Sequence, residues 1–176
     1  MRAAEGSSSP YYSDANEEVP RMERIAAIVQ RQPDASKIIF YVGKSNNDNF
    51  VAYRYSNEKS NLESFWISTE NVPSERRENL NLAEMMLYGH NLEVTSSNEW
   101  LIRMNVEQLQ DRPMSLVLDD DEEAHLVAPI NGEMCILQHA YVQMSPGLLP
   151  SVDYIRVSGI TLDKKKPRFE IIKNNS

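Results

Sequence analysis

The chain has 176 residues, of which 41% are hydrophobic and 25% are charged, and its formal net charge is −8 at pH 7. This length and composition suit one globular domain with a hydrophobic core. The acidic balance leaves no dispersed basic face of the kind that nucleic-acid binding requires, so we expect no nucleic-acid partner.

The cysteine count and the apolar runs narrow the class further. The single cysteine, Cys135, excludes an intrachain disulfide framework and a multi-cysteine zinc site. The N-terminal stretch lacks the apolar core of a secretory signal, and no apolar run approaches the roughly 18 residues that a membrane span needs. We therefore expect a cytoplasmic protein without a membrane span.

The first elements in chain order are a polar tail and a short helix. Residues 1–19 are rich in serine, glutamate and alanine, which predicts a disordered acidic tail. Residues 20–32 predict an amphipathic docking helix, because apolar residues share one helical face from Met22 to Val29 and Pro33 ends the pattern. A short helix of this kind is not stable alone in water, so it must pack on its own domain or on a protein partner.

Residues 37–173 predict a β domain made of short strands separated by turn residues. The strands begin with a hairpin, Ile38–Gly43 and Asn49–Ser56, and one short helix is predicted near Leu80–Tyr88. Such spacing favours an antiparallel β-sandwich or a barrel-like domain over alternating β and α units. The predicted fold class is therefore mainly β, with one or two short helices and a disordered N-terminal tail.

The first strand of the hairpin is apolar on both faces. Alternation places Ile38, Phe40 and Val42 on one face and Ile39 and Tyr41 on the other. A strand with two apolar faces is covered on both sides, so we expect the docking helix to pack over Ile39 and Tyr41.

The turn Lys44–Asn49 is the first candidate site. Asparagine and aspartate tolerate left-handed backbone angles and bond their own main chain, which explains a turn without glycine. Ser45, Asn47 and Asn49 alternate, however, so their hydroxyl and amide groups could converge on one side. Two hypotheses stay open: a turn that bonds to itself, and a binding site that also uses Lys44.

Further candidate binding residues are aromatic or lie in turns. A ligand-binding barrel would line an apolar cavity with Tyr53, Trp66 and Tyr154. Polar groups from the Lys44–Asn49 turn, from Tyr88 and its neighbours, and from Asn131 would converge over that cavity. Asn131 begins an Asn-Gly pair between two apolar runs, which is a strong predictor of a hairpin turn.

No catalytic, cofactor or metal motif occurs in the sequence. The three histidines lack HExxH or H-x-H spacing, and there is no phosphate-binding loop and no nucleophile elbow. His139 is predicted to share a strand face with Cys135, Leu137 and Tyr141, which favours a core or rim histidine. The acidic run Asp119–Glu123 lacks the spacing of an EF-hand loop and predicts a solvated turn. We expect no cofactor and no metal.

Five short motifs occur in an order that resembles the domain of unknown function 4833 family: KSNNDNFVAY, FWI, LYG, NGE and VDYIRVSG. The opening motif of that family resembles Arg-Ser-x-Asn-x-Asn-x-Val-x-Tyr, and this chain matches it at Ser45, Asn47, Asn49, Val51 and Tyr53. Lys44 stands in place of the arginine. The resemblance covers roughly residues 37–172 and implies one mostly β domain, but it implies no activity, because the family has none assigned.

Two function classes remain open. A non-catalytic interaction or scaffold domain fits the acidic tail, the docking helix and the missing catalytic motifs, and its protein partner would bind the tail, the helix or a sheet face. A small-ligand-binding barrel, or an enzyme with a loop-built site, would need an apolar cavity instead. We expect the interaction domain, which a packed interior would favour.

Overall fold

The computed structural model describes residues 10–58, 61–69, 77–96, 99–149 and 151–174, so the first nine residues of the predicted tail lie outside it. Two helices and eleven strands follow one another along the described chain. They are α1 Pro10–Arg31, β1 Ile38–Lys44, β2 Asn47–Ser56, β3 Asn61–Ile67, β4 Arg77–Asn79, α2 Leu82–Tyr88, β5 His90–Ser96, β6 Glu99–Met104, β7 Met114–Leu118, β8 Ala124–Ile130, β9 Glu133–Met144, β10 Val152–Thr161 and β11 Pro167–Lys173. Single 3₁₀ turns occur at Ala35–Lys37 and Glu107–Leu109.

The fold is mainly β, as the sequence predicts, and its sheet curls into a half-barrel. All neighbouring strands pair antiparallel except β1 and β9, which run parallel from the pair Tyr41–His139 to the pair Lys44–Val142. The antiparallel prediction is therefore right for every described ladder but this one. A parallel pair joins strands that are distant in the chain, and local turn residues do not encode it.

The long strand β9 divides the sheet into two arms. One edge of β9 pairs with β10 over most of its length. The opposite edge pairs first with β8, up to Leu137, and then with β1, from His139 onward. We call the point between Leu137 and His139, where β9 changes partner, the fork. The first arm consists of β1–β4 and the second arm of β5–β8.

The space between the arms is filled by side chains. The larger hydrophobic cluster joins Phe40, Val42 and Tyr53 of the first arm to Ile102 and Leu116 of the second, all of them fully or almost fully buried. Close packing of this kind supplies most of the stability of a domain this size.

A smaller cluster lies on the outer face of the first arm, beneath α1. It contains Met22 and Ile25 of the helix, Phe50 and Ala52 of β2, and Tyr141 of β9. The helix approaches so closely that a Cβ atom on Gly43 would lie 2.8 Å from Ile25 Cδ1 and Met22 Sδ. The apolar residues Met22, Ile25, Ile28 and Val29 of α1 are thus covered by the protein's own sheet.

The helix is longer than the sequence predicts. It begins at Pro10 rather than Pro20, so the described part of the predicted disordered tail is helical and Pro20 lies inside the helix. Glu18, in this earlier part, is buried and pairs with Arg156 of β10. A contact between residues so far apart in the chain leaves no trace in local composition.

Two β-bulges overturn predictions of strand facing. A register shift between Ile38 and Phe40 turns Ile38 toward the helix cluster, while Ile39 packs against the larger cluster. The predicted positions of these two residues are therefore wrong. A bulge inserts one extra residue and reverses the alternation beyond it.

The second bulge lies in β9. Ser158 pairs with His139 and Gly159 pairs with Leu137, so Gln138 is the extra residue. Leu137 belongs to the larger cluster, but His139 stacks on Tyr41, on the helix side. The prediction that His139 shares a face with Cys135 and Leu137 is wrong; of the three predicted neighbours only Tyr141 lies on its side.

Candidate functional site

The two arms leave an open seam on the side opposite the fork. In the described chain β5 pairs only with β6, and β4 pairs with β3 only from Phe65 onward. Residues 61–64 and β5 therefore present unpaired edges, with a cleft of about 500 Å³ between them. We call this cleft the seam cleft. Its apolar wall includes Leu62, Leu80, Met85 and Leu92.

The His90 side chain forms hydrogen bonds across the seam. Ser64 Oγ of β3 lies 3.0 Å from His90 Nδ1 of β5, and the His90 and Tyr53 rings meet in a T-shaped arrangement. Burial lowers the pKa of His90, and a hydrogen bond to the Leu62 backbone opposes this shift. The ring is therefore neutral at neutral pH. The two unpaired edges come within side-chain reach without a backbone ladder between them.

Four of the predicted binding residues meet beside the seam, at Tyr88. Tyr53 donates its hydroxyl proton to the Tyr88 carbonyl oxygen at 2.6 Å, and Trp66 packs edge-on against the Tyr88 ring. Lys44 Nζ lies 5.0 Å from the centroid of the same ring. Burial lowers the pKa of Lys44 and raises that of Tyr88 to about 12. We call these residues the Tyr88 cluster.

The Tyr88 cluster is packed rather than hollow. Tyr53 is fully buried in the larger hydrophobic cluster, whereas Tyr154 lies in the cluster beneath α1. The predicted cavity lined by Tyr53, Trp66 and Tyr154 is therefore wrong, because the sheet separates Tyr53 from Tyr154. The indole nitrogen of Trp66 is buried and has no hydrogen-bond partner among the described residues.

The polar residues of the first turn bond to the protein itself. The turn is shorter than predicted, because β2 begins at Asn47. Ser45 Oγ accepts the Met144 N–H at 2.9 Å, Asn47 Oδ1 accepts the Asn49 N–H at 3.0 Å, and Asn49 Oδ1 accepts the Thr69 N–H at 3.2 Å. The side-chain oxygens of these three residues thus accept hydrogen bonds from three backbone N–H groups of the protein itself.

Asn131 is held in a different place, in the turn between β8 and β9. Its φ of 50° and that of Gly132, 81°, fit the predicted two-residue hairpin turn. Its N–H donates to Glu170 and its Nδ2 donates to the Phe169 carbonyl oxygen. Asn131 is thus bonded to β11 and not to the Tyr88 cluster.

The surface of α2 exposes apolar side chains beside the seam. Leu82 and Met86 are 79% and 72% exposed, and Met85 and Leu87 are more than half exposed. A reciprocal capping box between Asn81 and Glu84 fixes the start of this helix. Sequence reasoning found the helix but not the surface. Its composition could have predicted this surface, since six of its seven residues are hydrophobic and they cannot all face one core.

A separate pair of exposed apolar side chains lies outside α2. Leu148 and Leu149 occupy the tip of the loop between β9 and β10, which Ser145 and Ser151 close with hydrogen bonds at its base. This base follows Met144, whose N–H bonds to Ser45, the neighbour of Lys44 in the Tyr88 cluster.

No helix in the described ranges has the length and apolar character needed to cross a membrane.

Comparison with known proteins identifies a family without an assigned activity. No curated protein and no solved structure matches the chain. A family model described as Domain of unknown function (DUF4833) matches residues 40–170, which is most of the chain. This match confirms the resemblance seen in the sequence, and the chain belongs to the DUF4833 family.

Proposed function

We propose that this protein is a non-catalytic interaction domain that binds an extended segment of a partner protein at the open seam, by strand addition. The observation that carries this proposal is the pair of unpaired strand edges that face each other across a cleft with an apolar wall. An exposed edge offers a row of main-chain donors and acceptors to another chain, and proteins normally cover or shorten such edges.

The length and the setting of β5 support this mode of binding. β5 has seven residues, and Val94 near its end is an exposed apolar residue. β5 is not short and contains no proline or lysine, so it lacks three features that keep edge strands from pairing, and it carries Glu93 and one register shift between Val94 and Ser96. A partner strand could therefore pair along β5 without displacing any described strand.

The seam cleft supports selectivity for apolar side chains. Alternate side chains of an added strand point to the same face, so one or two of them would enter the cleft against Leu62, Leu80 and Leu92. Asn79 and Asn91 at the cleft offer amide groups to the partner main chain. Met85 lines the cleft and is also part of the exposed face of α2, which extends the apolar contact beyond the cleft.

Charge supports a basic partner segment. Between residues 77 and 96 the chain carries Glu78, Glu84 and Glu93 against one cation, Arg77. Arg77 already binds the carboxylate of Asp34. The seam therefore favours an extended segment in which apolar residues alternate with polar ones and which carries lysine or arginine.

Affinity selection from a displayed library of extended peptides, each about ten residues long to cover the full range of strand lengths, tests this proposal. We expect enrichment of alternating apolar patterns with lysine or arginine. The bound peptide should slow amide hydrogen exchange along β5. Library members with no such pattern, or protection confined to another surface, would overturn strand addition at the seam.

A matched pair of variants tests the position of the site. Met85→Lys changes an apolar side chain that is 51% exposed at the seam, and Met134→Lys changes one that is 48% exposed at the start of β9. We expect the first to weaken peptide binding about tenfold or more, since it removes an apolar contact and places a positive charge against a basic segment, and the second to leave binding unchanged. Thermal unfolding of both variants checks that the fold is retained. Equal effects of both substitutions would contradict the proposal.

A further inference from the structure

The main-chain groups of β5 point alternately toward β6 and toward the open seam, and one hydrogen bond shows which residues point which way. The Asn105 N–H donates to the Gly89 carbonyl oxygen at 2.9 Å, directly before the pair His90–Met104. The register then runs without a shift from His90 to Val94. In an antiparallel pair, residues that exchange hydrogen bonds alternate with residues that do not.

This alternation identifies the free main-chain groups of β5. Counted from Gly89, residues 91 and 93 direct their N–H and carbonyl groups at β6. His90, Leu92 and Val94 therefore direct theirs away from β6, at the edge where no described strand pairs with β5. This edge offers a continuous row of hydrogen-bond donors and acceptors.

The facing edge of β3 is already partly occupied. The His90 side chain bonds to the Leu62 backbone and to Ser64 Oγ, both of β3. The edge of β5 therefore has the free main-chain groups, and β5 rather than β3 is the strand that can receive a partner strand.

The residues with free main-chain groups also share one face of β5. Successive side chains of a strand point to opposite faces. Leu92 packs against the larger hydrophobic cluster, so His90, Leu92 and Val94 lie on the inner face, and the first two line the seam cleft. Asn91 and Glu93 are exposed and lie on the outer face.

The direction of an added strand decides which of its residues bond to this edge. In antiparallel pairing, the residues that exchange hydrogen bonds lie directly opposite His90, Leu92 and Val94, and their side chains share the inner face. In parallel pairing the bonds are slanted, so they go to the neighbouring residues, whose side chains point outward. Antiparallel pairing is also the more stable arrangement per residue.

Glu93 determines where a basic residue belongs. It lies on the outer face between Leu92 and Val94, where an added antiparallel strand forms a pair without hydrogen bonds. Opposite side chains lie closest in such pairs, so a lysine or arginine opposite Glu93 is attracted directly. The other outer position, opposite Asn91, offers no charge.

We propose, on the basis of the strand addition proposed above, that the seam takes its partner as an antiparallel strand with the order apolar–basic–apolar–polar–apolar, read from the N-terminus. The three apolar residues lie opposite Val94, Leu92 and His90, and they are the ones that exchange main-chain hydrogen bonds with β5. The basic residue lies opposite Glu93 and the polar residue opposite Asn91.

Amide exchange of the full chain, followed residue by residue with NMR, tests the edge without any partner. The amides of Asn91 and Glu93 are bonded to β6 and should exchange at least about tenfold more slowly than those of Leu92 and Val94. A protected Leu92 amide beside a rapidly exchanging Glu93 amide would overturn the inference, whether or not a peptide binds.

Two peptides of identical composition test the order of residues. Their five-residue cores are Val-Lys-Leu-Thr-Val and Val-Thr-Leu-Lys-Val, within ten-residue peptides that share the same flanks. We expect the first to bind about two- to fivefold more tightly, which is the gain from one cross-strand charge pair. Glu93→Gln should remove this difference, whereas Glu23→Gln, at an exposed position of α1, should keep it.

Backbone N-methylation of the first peptide removes one N–H donor at a time. Methylation of the central leucine should weaken binding at least about fivefold through the lost bond to β5, and methylation of the lysine should change it less than about twofold. The reverse pattern, or preference for the second peptide, would overturn this inference and leave strand addition intact. If neither peptide binds and no selected library peptide slows exchange in β5, strand addition fails and the inference fails with it.

Discussion

Glu18 of α1 and Arg156 of β10 form an ion pair across the helix–sheet contact, with Glu18 Oε2 2.7 Å from Arg156 Nε. Glu18 is only 5% exposed, and the Tyr154 hydroxyl lies within hydrogen-bond range of its carboxylate. Arg156 also stacks its guanidinium on the Phe169 ring. The pair therefore fixes the early part of α1 over the centre of the sheet.

Replacing Glu18 with alanine should lower the free energy of unfolding by about 2 kcal/mol, because it leaves the Arg156 cation beside a partly buried surface without its counter-charge. Chemical denaturation of the two proteins measures the difference. Glu17→Ala is a matched control at the exposed neighbouring position and should change stability by less than about 0.5 kcal/mol. Equal effects of the two substitutions would show that α1 is not held in this way.

Asp34 links the end of α1 to the first arm, and its ion pairs predict that the stability of the fold depends on pH. Its carboxylate accepts from Arg54 and Arg77, and the hydrogen bond from Arg77 is the largest cause that lowers its pKa from 3.8 to about 2. Because the pKa of Asp34 is lower in the folded state than in the unfolded state, its ionised carboxylate stabilises the folded state at pH values above the unfolded pKa of 3.8. This stabilisation is lost as pH falls toward 2.

Asp34→Asn should therefore lower the free energy of unfolding by about 1 to 2 kcal/mol at neutral pH, after allowance for solvent screening. The difference from the unsubstituted protein should shrink as pH falls below 3.8 and disappear near 2. Urea denaturation across this range measures it. Asp111→Asn is the control for replacing an exposed carboxylate that takes no part in the contacts of Asp34. A difference that stays constant with pH would contradict the role of the charge.

The β content of the fold was predictable because it depends on local patterns. The hairpin of Asn131 and Gly132 and the short helix before Gly89 follow from turn and capping residues that act within a few positions. The bulge at Gln138 was not predictable, since it depends on how β8 and β1 share the edge of β9. A single inserted residue then reverses the face of His139.

The candidate site was predictable only in part, for the same reason. Lys44, Trp66 and Tyr88 stood out as aromatic and cationic residues near turns, and the fold does bring them together. Ser64 and His90 were missed as a pair because nothing local connects them. The seam exists because, among the described residues, β5 and the start of β3 each have one edge without a paired strand, and only the pairing order shows which strands these are.

His139 gives a second prediction for pH dependence. Its pKa falls from 6.5 to about 4 on folding, so the unfolded chain binds the proton more readily between these values. The neutral, buried ring of His139 therefore contributes fully to the free energy of unfolding above pH 6.5, and this contribution is lost as pH falls to about 4. The shift corresponds to at most about 3 kcal/mol. Stability should therefore fall with acidity well before the carboxyl groups titrate.

His139→Phe should flatten the pH dependence of unfolding between 6.5 and 4, since phenylalanine has no proton to bind. Urea denaturation at several pH values in this window measures the slope. The pKa of His90 is lowered by burial too, so a smaller slope should remain, and His90→Phe should remove that part. An unchanged slope in the His139 variant would mean that the ring is solvated in the folded protein.

The turn between β1 and β2 gives the last prediction, which separates a structural from a binding role. Asn47 and Asn49 each accept one backbone N–H, from Asn49 and Thr69, so replacing both with alanine removes two hydrogen bonds. The double variant should lose about 1 to 2 kcal/mol of unfolding free energy, at about 1 kcal/mol for each bond. Because neither residue lines the seam cleft, binding of a selected peptide should be unchanged. A variant with full stability and lost peptide binding would make the turn itself the binding site, and would refute the assignment of these amides to the fold.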